Sequence, residues 1–295
     1  MRYFTEADVL KNLTMPDAIG LVERAFRQLA EGLAINHPRR RVSLPTGATL
    51  HYMAGADPDY FGIKVYSTHP VSGAHFQVLL YQSADGLPLA TFEANHLGQI
   101  RTGAASAVGT KYLARPDAAI LAVIGSGFQA ETQVRAISQV RAIGEIRVWS
   151  RSAEKREEFA RRMNARAMDS AREAVEGADI IVTATSAKDP VIETEWVSPG
   201  AHINAMGSNR PNRRELPTDL VLHRADLVAA DSVEDAQIES GDLIISGALS
   251  RTVEFADIVA GKIPGRTSAG QITVFKSNGL AIQDIAVAGY LYNLH

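Results

Sequence analysis

The chain has no cysteine among its 295 residues, which excludes disulfides, thiolate catalysis and cysteine-ligated zinc or iron–sulfur centres. Its eight histidines are scattered, with no pair at metal-ligand spacing on an evident helix, so no metal site is expected. Aromatic residues make up only 6% and the net charge is −3. That balance offers no reason to expect nucleic acid or an anionic membrane as a partner, and the cluster Arg39-Arg40-Arg41 is too short to change it. No apolar run reaches the ~18 residues of a membrane span. The opening stretch MRYFTEADVLKNL carries charges where a signal peptide needs apolar residues. These absences predict a soluble, cytoplasmic protein. Its 46% hydrophobic and 21% charged content is that of an ordinary globular chain, long enough for two domains.

The most informative stretch that is present is AAILAVIGSGFQA, Ala118–Ala130. Ile120–Ile124 reads as a buried parallel strand ending at Gly125. Gly125, Gly127 and Ala130 then spell G-x-G-x-x-A at the opening of a helical pattern that runs to about Ala142, and Glu145–Trp149 completes a βαβ unit. The first glycine permits a tight turn, the second lets backbone approach a pyrophosphate, and the alanine lets helix and strand pack closely. The N-terminal end of that helix favours phosphate charge. Gly125, Ser126, Gly127, Phe128 and Gln129 are therefore expected to bind the dinucleotide.

Upstream, Thr5–Glu31 reads as two helices, followed by short β-like runs at Arg41–Leu44, Thr49–Ala54, Tyr60–Ser67, Phe76–Gln82 and Leu89–Glu93. Leu97–Leu113 reads as a helix, and Arg115-Pro116-Asp117 as a domain boundary. Downstream, α/β alternation continues through helices at Ser152–Met163 and Ala171–Glu176 and buried strands at Asp179–Thr185, Ala201–Ala205 and Asp226–Ala230. Val233–Ser240 and Val253–Ala260 look helical, and Ile272–Phe275 is again a strand. The expected fold class is α/β: a Rossmann-type doubly wound domain over 117–275, with a β-rich substrate domain formed by 1–116 and 276–295.

The chain resembles the ornithine cyclodeaminase/mu-crystallin family along nearly its whole length. The matching blocks, in family order, are GIKV at 62–65, IRTGAASAV at 100–108, the VIGSGFQA turn, ADIIVTAT at 178–185 and FKSNGLAIQD at 275–284. The resemblance implies an N-terminal half-barrel that pairs with its copy in a homodimer, and a nicotinamide cofactor. It also implies that Lys64 contacts the substrate's carboxylate or carbonyl-derived group and that Arg101 clamps the carboxylate. Arg40, in a P-x-R setting, is the expected second arginine, with Arg41 as the fallback. An arginine fork holds a planar carboxylate bidentately and fixes the α-carbon for hydride transfer. Thr102 and Thr185 are family-derived candidates for cofactor contacts, and Asp284 reads as a helix-positioning residue.

One departure from the family pattern is informative. Where cyclodeaminases and related alanine dehydrogenases carry an acid/base aspartate, the loop G-S-N-R-P-N-R-R-E-L at 207–216 has Asn209. A side-chain amide hydrogen-bonds but does not exchange protons near neutral pH. Cyclodeamination needs proton transfers, whereas reduction of a formed, protonated imine needs little beyond hydride delivery and carboxylate binding. The expected activity is NAD(P)H-dependent reduction of a small α-imino acid, such as Δ1-pyrroline-2-carboxylate or iminosuccinate, to the L-amino acid. The alternatives are an ornithine cyclodeaminase or alanine-type dehydrogenase, and a non-catalytic NADPH-binding protein.

The second strand ends Val148-Trp149-Ser150-Arg151-Ser152 and lacks the acid that holds both ribose hydroxyls of NAD. Arg151 with Ser150 or Ser152 suits a 2′-phosphate. NADP(H) is the expected cofactor, with NAD(H) as the alternative.

Overall fold

The computed structural model describes residues 1–294; His295, the end of the expected 276–295 segment, lies outside the described residues. Contacts divide the chain into two units: Met1–Arg101 with the segment from Gly279 onward, and Thr102–Asn278.

The first unit is built on a seven-stranded mixed sheet. Strand β1 (Arg2–Phe4) pairs in parallel with β7 (Pro88–Glu93). The antiparallel ladder β7–β6–β5–β4 follows, with β4 at Thr49–Ala56, β5 at Tyr60–His69 and β6 at Gly73–Gln82. Strand β4 also carries β2 (Ile35–Asn36) and β3 (Arg40–Ser43). Helices α1 (Glu6–Asn12) and α2 (Met15–Ala30) start at Thr5 and Thr14, whose hydroxyls cap the N–H groups of Asp8 and Asp17. The C-terminal helix, Ala281–Asn293, packs on α2 and on β4, β5 and β6. Pleating alternates side chains between the two faces of the sheet. His51, Met53, Lys64, Tyr66, Val78 and Leu80 are buried on one face, while Leu50, Tyr52 and Phe61 stand exposed on the other.

Helix α3 (Asn95–Leu113) begins in the first unit. Its second half is made of small residues and is buried in the second unit: a Cβ on Gly103 would crowd Thr132, and one on Gly109 would crowd the Phe275 ring. The division therefore falls between Arg101 and Thr102 and again between Asn278 and Gly279, whereas the expected joints were 116/117 and 275/276. Arg115-Pro116-Asp117 is a turn inside the second unit. Arg141 and Arg266 donate to the Thr110, Ala114 and Leu113 carbonyls at 2.7–3.0 Å and so cap the C-terminal end of α3.

The second unit is an eight-stranded, all-parallel sheet in the order β10-β9-β8-β11-β12-β15-β13-β14. Its strands are β8 (Ile120–Ile124), β9 (Glu145–Trp149), β10 (Arg166–Ala167), β11 (Ile180–Thr183), β12 (His202–Ala205), β13 (Leu227–Ala230), β14 (Thr252–Glu254) and β15 (Thr273–Lys276). Its helices are α4 (Phe128–Val140), α5 (Ala153–Met163), α6 (Ala171–Val175), α7 (Val233–Glu239), α8 (Gly241–Ser246) and α9 (Phe255–Val259). Along β8, Leu121 and Val123 belong to one apolar cluster, and Ala122 and Ile124 to the other. Both faces of the sheet are thus covered, which is the doubly wound arrangement, and the strands accordingly read as continuous apolar runs. Where a helix was expected over 253–260, residues 252–254 instead form β14, which pairs in parallel with β13, and α9 starts only at Phe255.

Candidate active site

In the first unit, Lys64 on β5 and Arg101 on α3 converge on Asp284, in the first turn of the C-terminal helix. Asp284 Oδ1 accepts hydrogen bonds from Lys64 Nζ at 2.8 Å and from Arg101 Nε at 3.1 Å. A second bond, from Arg101 Nη1 to Gln283 Oε1 at 3.3 Å, orients the guanidinium. Gly98 leaves the room for this meeting, since a Cβ there would lie 2.9 Å from Lys64 Nζ. Lys64 is 3% exposed, Arg101 6% and Asp284 not at all. Burial, then the Arg101 charge, lowers the Lys64 pKa to about 8, although Asp284 opposes both. Burial pushes Asp284 up, but Arg101 and Lys64 outweigh it and hold the carboxyl below its usual range.

The arginine that joins this group is Arg39, not Arg40 or Arg41. Arg39 is 4% exposed, and its Nη2 lies 3.5 Å from the Gly279 carbonyl and 3.6 Å from Met53 Sδ. Its charge acts directly on Lys64. Arg40 is exposed, in register with Tyr52 on the outer face, because strand alternation turns it away from the face that carries Met53 and Lys64. Arg41 returns to the inner side, opposite His51 and two residues beyond Arg39. Lys64, Arg101 and Arg39 thus lie on one buried face with the Asp284 carboxylate.

In the second unit, a cavity of about 1240 Å³ lies against the turn after β8. Gly125 has φ +120°, and a Cβ there would collide with the Ala184 carbonyl; only glycine fits. Gly127 lines the same cavity, and a Cβ on it would meet no protein atom within 4 Å. That open space beside the backbone is what a pyrophosphate requires. Gly127 is the N-cap of α4 and supplies no side-chain cap, so the positive end of the helix dipole opens on this turn. Ala130 is fully buried against the sheet. Ser126, Phe128 and Gln129 also line the cavity, and the residues present fit a dinucleotide.

At the end of β9, Ser150, Arg151, Ser152 and Lys155 line the same cavity. Ser150 Oγ accepts from Ser126 Oγ at 2.8 Å and donates to the Ser152 carbonyl at 3.2 Å. Ser152 Oγ caps α5 through the Lys155 N–H at 3.3 Å, and Arg151 is exposed beside it. Thr185 also lines the cavity, but its hydroxyl is engaged, donating to Glu215 Oε1 at 2.7 Å and accepting from the Ala187 N–H at 3.1 Å. Thr102 sits half-buried on α3, and Asn209 half-buried in the loop after β12, both in the second unit.

Three residues have structural roles at these sites that the sequence reading did not assign. Arg39 was hidden by a register choice among three adjacent arginines. Asp284 was noticed without its two partners. Glu215 is fully buried and binds four donors; it stands in the loop 207–216, where attention went to Asn209 instead.

Among known proteins, the family model for the ornithine cyclodeaminase/mu-crystallin family matches residues 2–294. The chain is 37% identical over 230 residues to ketimine reductase mu-crystallin of Rattus norvegicus, covering 77% of this chain and 72% of that protein. It is 42% identical over 227 residues to a Delta(1)-pyrroline-2-carboxylate reductase of Bacillus cereus, covering 73% and 69%. Thermococcus litoralis Delta(1)-pyrroline-2-carboxylate reductase, solved with NADH and L-proline, superposes with a TM-score of 0.93 at 35% identity, over 99% of this chain and 97% of that one. Among the described residues, no group of histidines and acids is arranged to hold a metal, and no helix is long and apolar enough to cross a membrane.

Proposed function

Because the chain belongs to the ornithine cyclodeaminase/mu-crystallin family, we propose that this enzyme reduces a small α-imino acid to the L-amino acid. One observation carries the reading: Lys64 and Arg101, both buried, converge on the Asp284 carboxylate, with the buried Arg39 acting on Lys64 beside them. Such a site takes the carboxylate of an imino acid. Arg101 and Arg39 bind its oxygens through charge-assisted hydrogen bonds. Lys64, held by Asp284, contributes an ammonium below about pH 8 and is the nearby group able to keep the imine nitrogen protonated. When bound, a reduced nicotinamide supplies the hydride for the imine carbon. Asn209 cannot exchange a proton, which favours reduction of a formed imine over the deamination and ring closure of ornithine.

Two of the similar proteins bear the name Delta(1)-pyrroline-2-carboxylate reductase, so a cyclic imino acid is the first substrate to try. NADPH is the preferred cofactor in this reading: β9 ends without an acid, and Arg151 lines the cavity there. NADH is the alternative. A homodimer is part of the reading as well, supported by the exposed apolar row Val42, Leu50, Tyr52 and Phe61 on the outer face of the first sheet. A cytoplasmic location accords with the absence of cysteine.

The test is NADPH and NADH oxidation by the purified protein against Δ1-pyrroline-2-carboxylate, Δ1-piperideine-2-carboxylate, and pyruvate, glyoxylate or oxaloacetate with ammonia or methylamine. Turnover of any imine supports the reading. Silence across the panel, with ammonia released from ornithine, replaces it by cyclodeamination.

A further inference from the structure

A second buried charge cluster lies in the second unit, at the ends of β11, β12 and β15. Glu215 is fully buried and accepts four hydrogen bonds. Oε1 takes the Thr185 N–H and the Thr185 hydroxyl, both at 2.7 Å. Oε2 takes the Gly207 N–H at 2.7 Å and the Thr183 hydroxyl at 3.0 Å. One carboxylate thus joins the end of β11 to the start of the loop after β12. The two backbones meet so closely that a Cβ on Gly207 would collide with both Glu215 and Thr185.

The same loop is tied a second time. Asp242 Oδ1 accepts from the Glu215 and Leu216 N–H groups at 2.7 and 2.9 Å. Lys276, at the end of β15 and fully buried, pairs with Asp242 Oδ2 at 3.0 Å and donates to the Ser208 carbonyl at 2.6 Å. Asn209 lies between these ties. Burial pushes the Glu215 carboxyl up, against the opposing charge of Lys276.

In a doubly wound sheet, the half beside the first and second strands takes the adenosine end of a dinucleotide, and the half beyond the chain reversal takes the other nucleotide. Here the first half is β8 and β9, and the second is β11, β12 and β15. We infer that Glu215 is a positioning residue for the nicotinamide half of the cofactor site, acting through Thr185 and Gly207. The inference rests on the proposed function. It also predicts that a carboxamide cannot replace the acid. Each carboxylate oxygen faces one backbone N–H, and while a threonine hydroxyl can rotate to accept, a backbone N–H cannot. Glutamine would set its own NH₂ against one of them and leave a buried donor unmade.

The experiment compares two ligands on wild type and Glu215→Gln: NADPH, and adenosine 2′,5′-bisphosphate, which carries only the adenosine end. The chain's two tryptophans, Trp149 and Trp196, both line the cavity and report binding by fluorescence. The expected result is an NADPH dissociation constant raised on the order of tenfold or more, with adenosine 2′,5′-bisphosphate affinity changed less than about twofold. Equal losses for the two ligands, or an unchanged NADPH constant, would overturn the inference. Wild-type protein that binds neither NADPH nor NADH sinks the functional reading, and this inference with it. Should Glu215→Gln not fold, Thr183→Val removes one donor and keeps the β-branched shape. It should weaken NADPH alone by about threefold, and no split between the ligands counts against Glu215.

Discussion

Asp284 accepts a 2.8 Å hydrogen bond from Lys64, 220 residues earlier in the chain, with both side chains buried. The same oxygen holds Arg101, so one carboxylate sets the geometry and the charge of the proposed imino-acid site. Asp284→Asn keeps an acceptor and removes the charge. The Lys64 pKa should then fall further below about 8, and imine kcat/KM near neutral pH should drop on the order of tenfold. Steady-state kinetics with a thermal melt as control check this; an unchanged kcat/KM would show that Asp284 only anchors its helix.

The Lys64 ammonium carries its own pH signature. Its pKa of about 8 lies below the ordinary 10.5, so the charged form is present below pH 8 and disappears as pH rises through that value. A carboxylate that does not titrate there, such as pyrrole-2-carboxylate, should bind progressively more weakly above about pH 8, by up to roughly tenfold per pH unit. Lys64→Met should flatten the profile. A wild-type profile level from pH 7 to 10 would remove Lys64 from the site.

Arg101→Ala should raise the imine KM by about 10- to 100-fold, the loss of charge-assisted bonds of about 1.5–3 kcal/mol. NADPH affinity should stay as in wild type. Weakened cofactor binding with an unaltered imine KM would reverse the assignment.

Neighbouring arginines should separate cleanly. Arg39→Ala is expected to raise KM about tenfold or more, because Arg39 shares the buried face with Lys64. Arg40→Ala, on the outer face, should remain within about twofold. The opposite ranking would mean that the strand register differs from the one described.

Arg151→Ala should lower the NADPH-to-NADH preference by about tenfold through loss of a guanidinium–phosphate contact. Competition between the two cofactors measures it. A constant ratio would assign the 2′-phosphate to another side chain, Lys155 being the nearest in sequence.

Local chemistry was readable wherever it rests on a few adjacent residues. The G-x-G-x-x-A turn, the apolar strands β8 and β9, and the Thr and Ser caps need only their own neighbours. Short strands failed for the converse reason: β1, β2 and β10 are two or three residues long, too few to display a period, and exist because a distant strand pairs with them. The 253–260 segment has a helical composition, yet its first residues are recruited as β14 by the edge of β13.

By itself the sequence determined the two-part α/β organisation, the dinucleotide turn, and the candidacy of Lys64 and Arg101. Periodicity, glycine chemistry and family motifs are all written along the chain. Only the tertiary structure decided which arginine of three turns inward, that Asp284 joins Lys64 to Arg101, and that Glu215 binds Thr183, Thr185 and Gly207. Those outcomes depend on strand register and on contacts between residues far apart in sequence. A one-residue shift of register exchanges the faces of a sheet, and no local pattern within Arg39-Arg40-Arg41 encodes that choice.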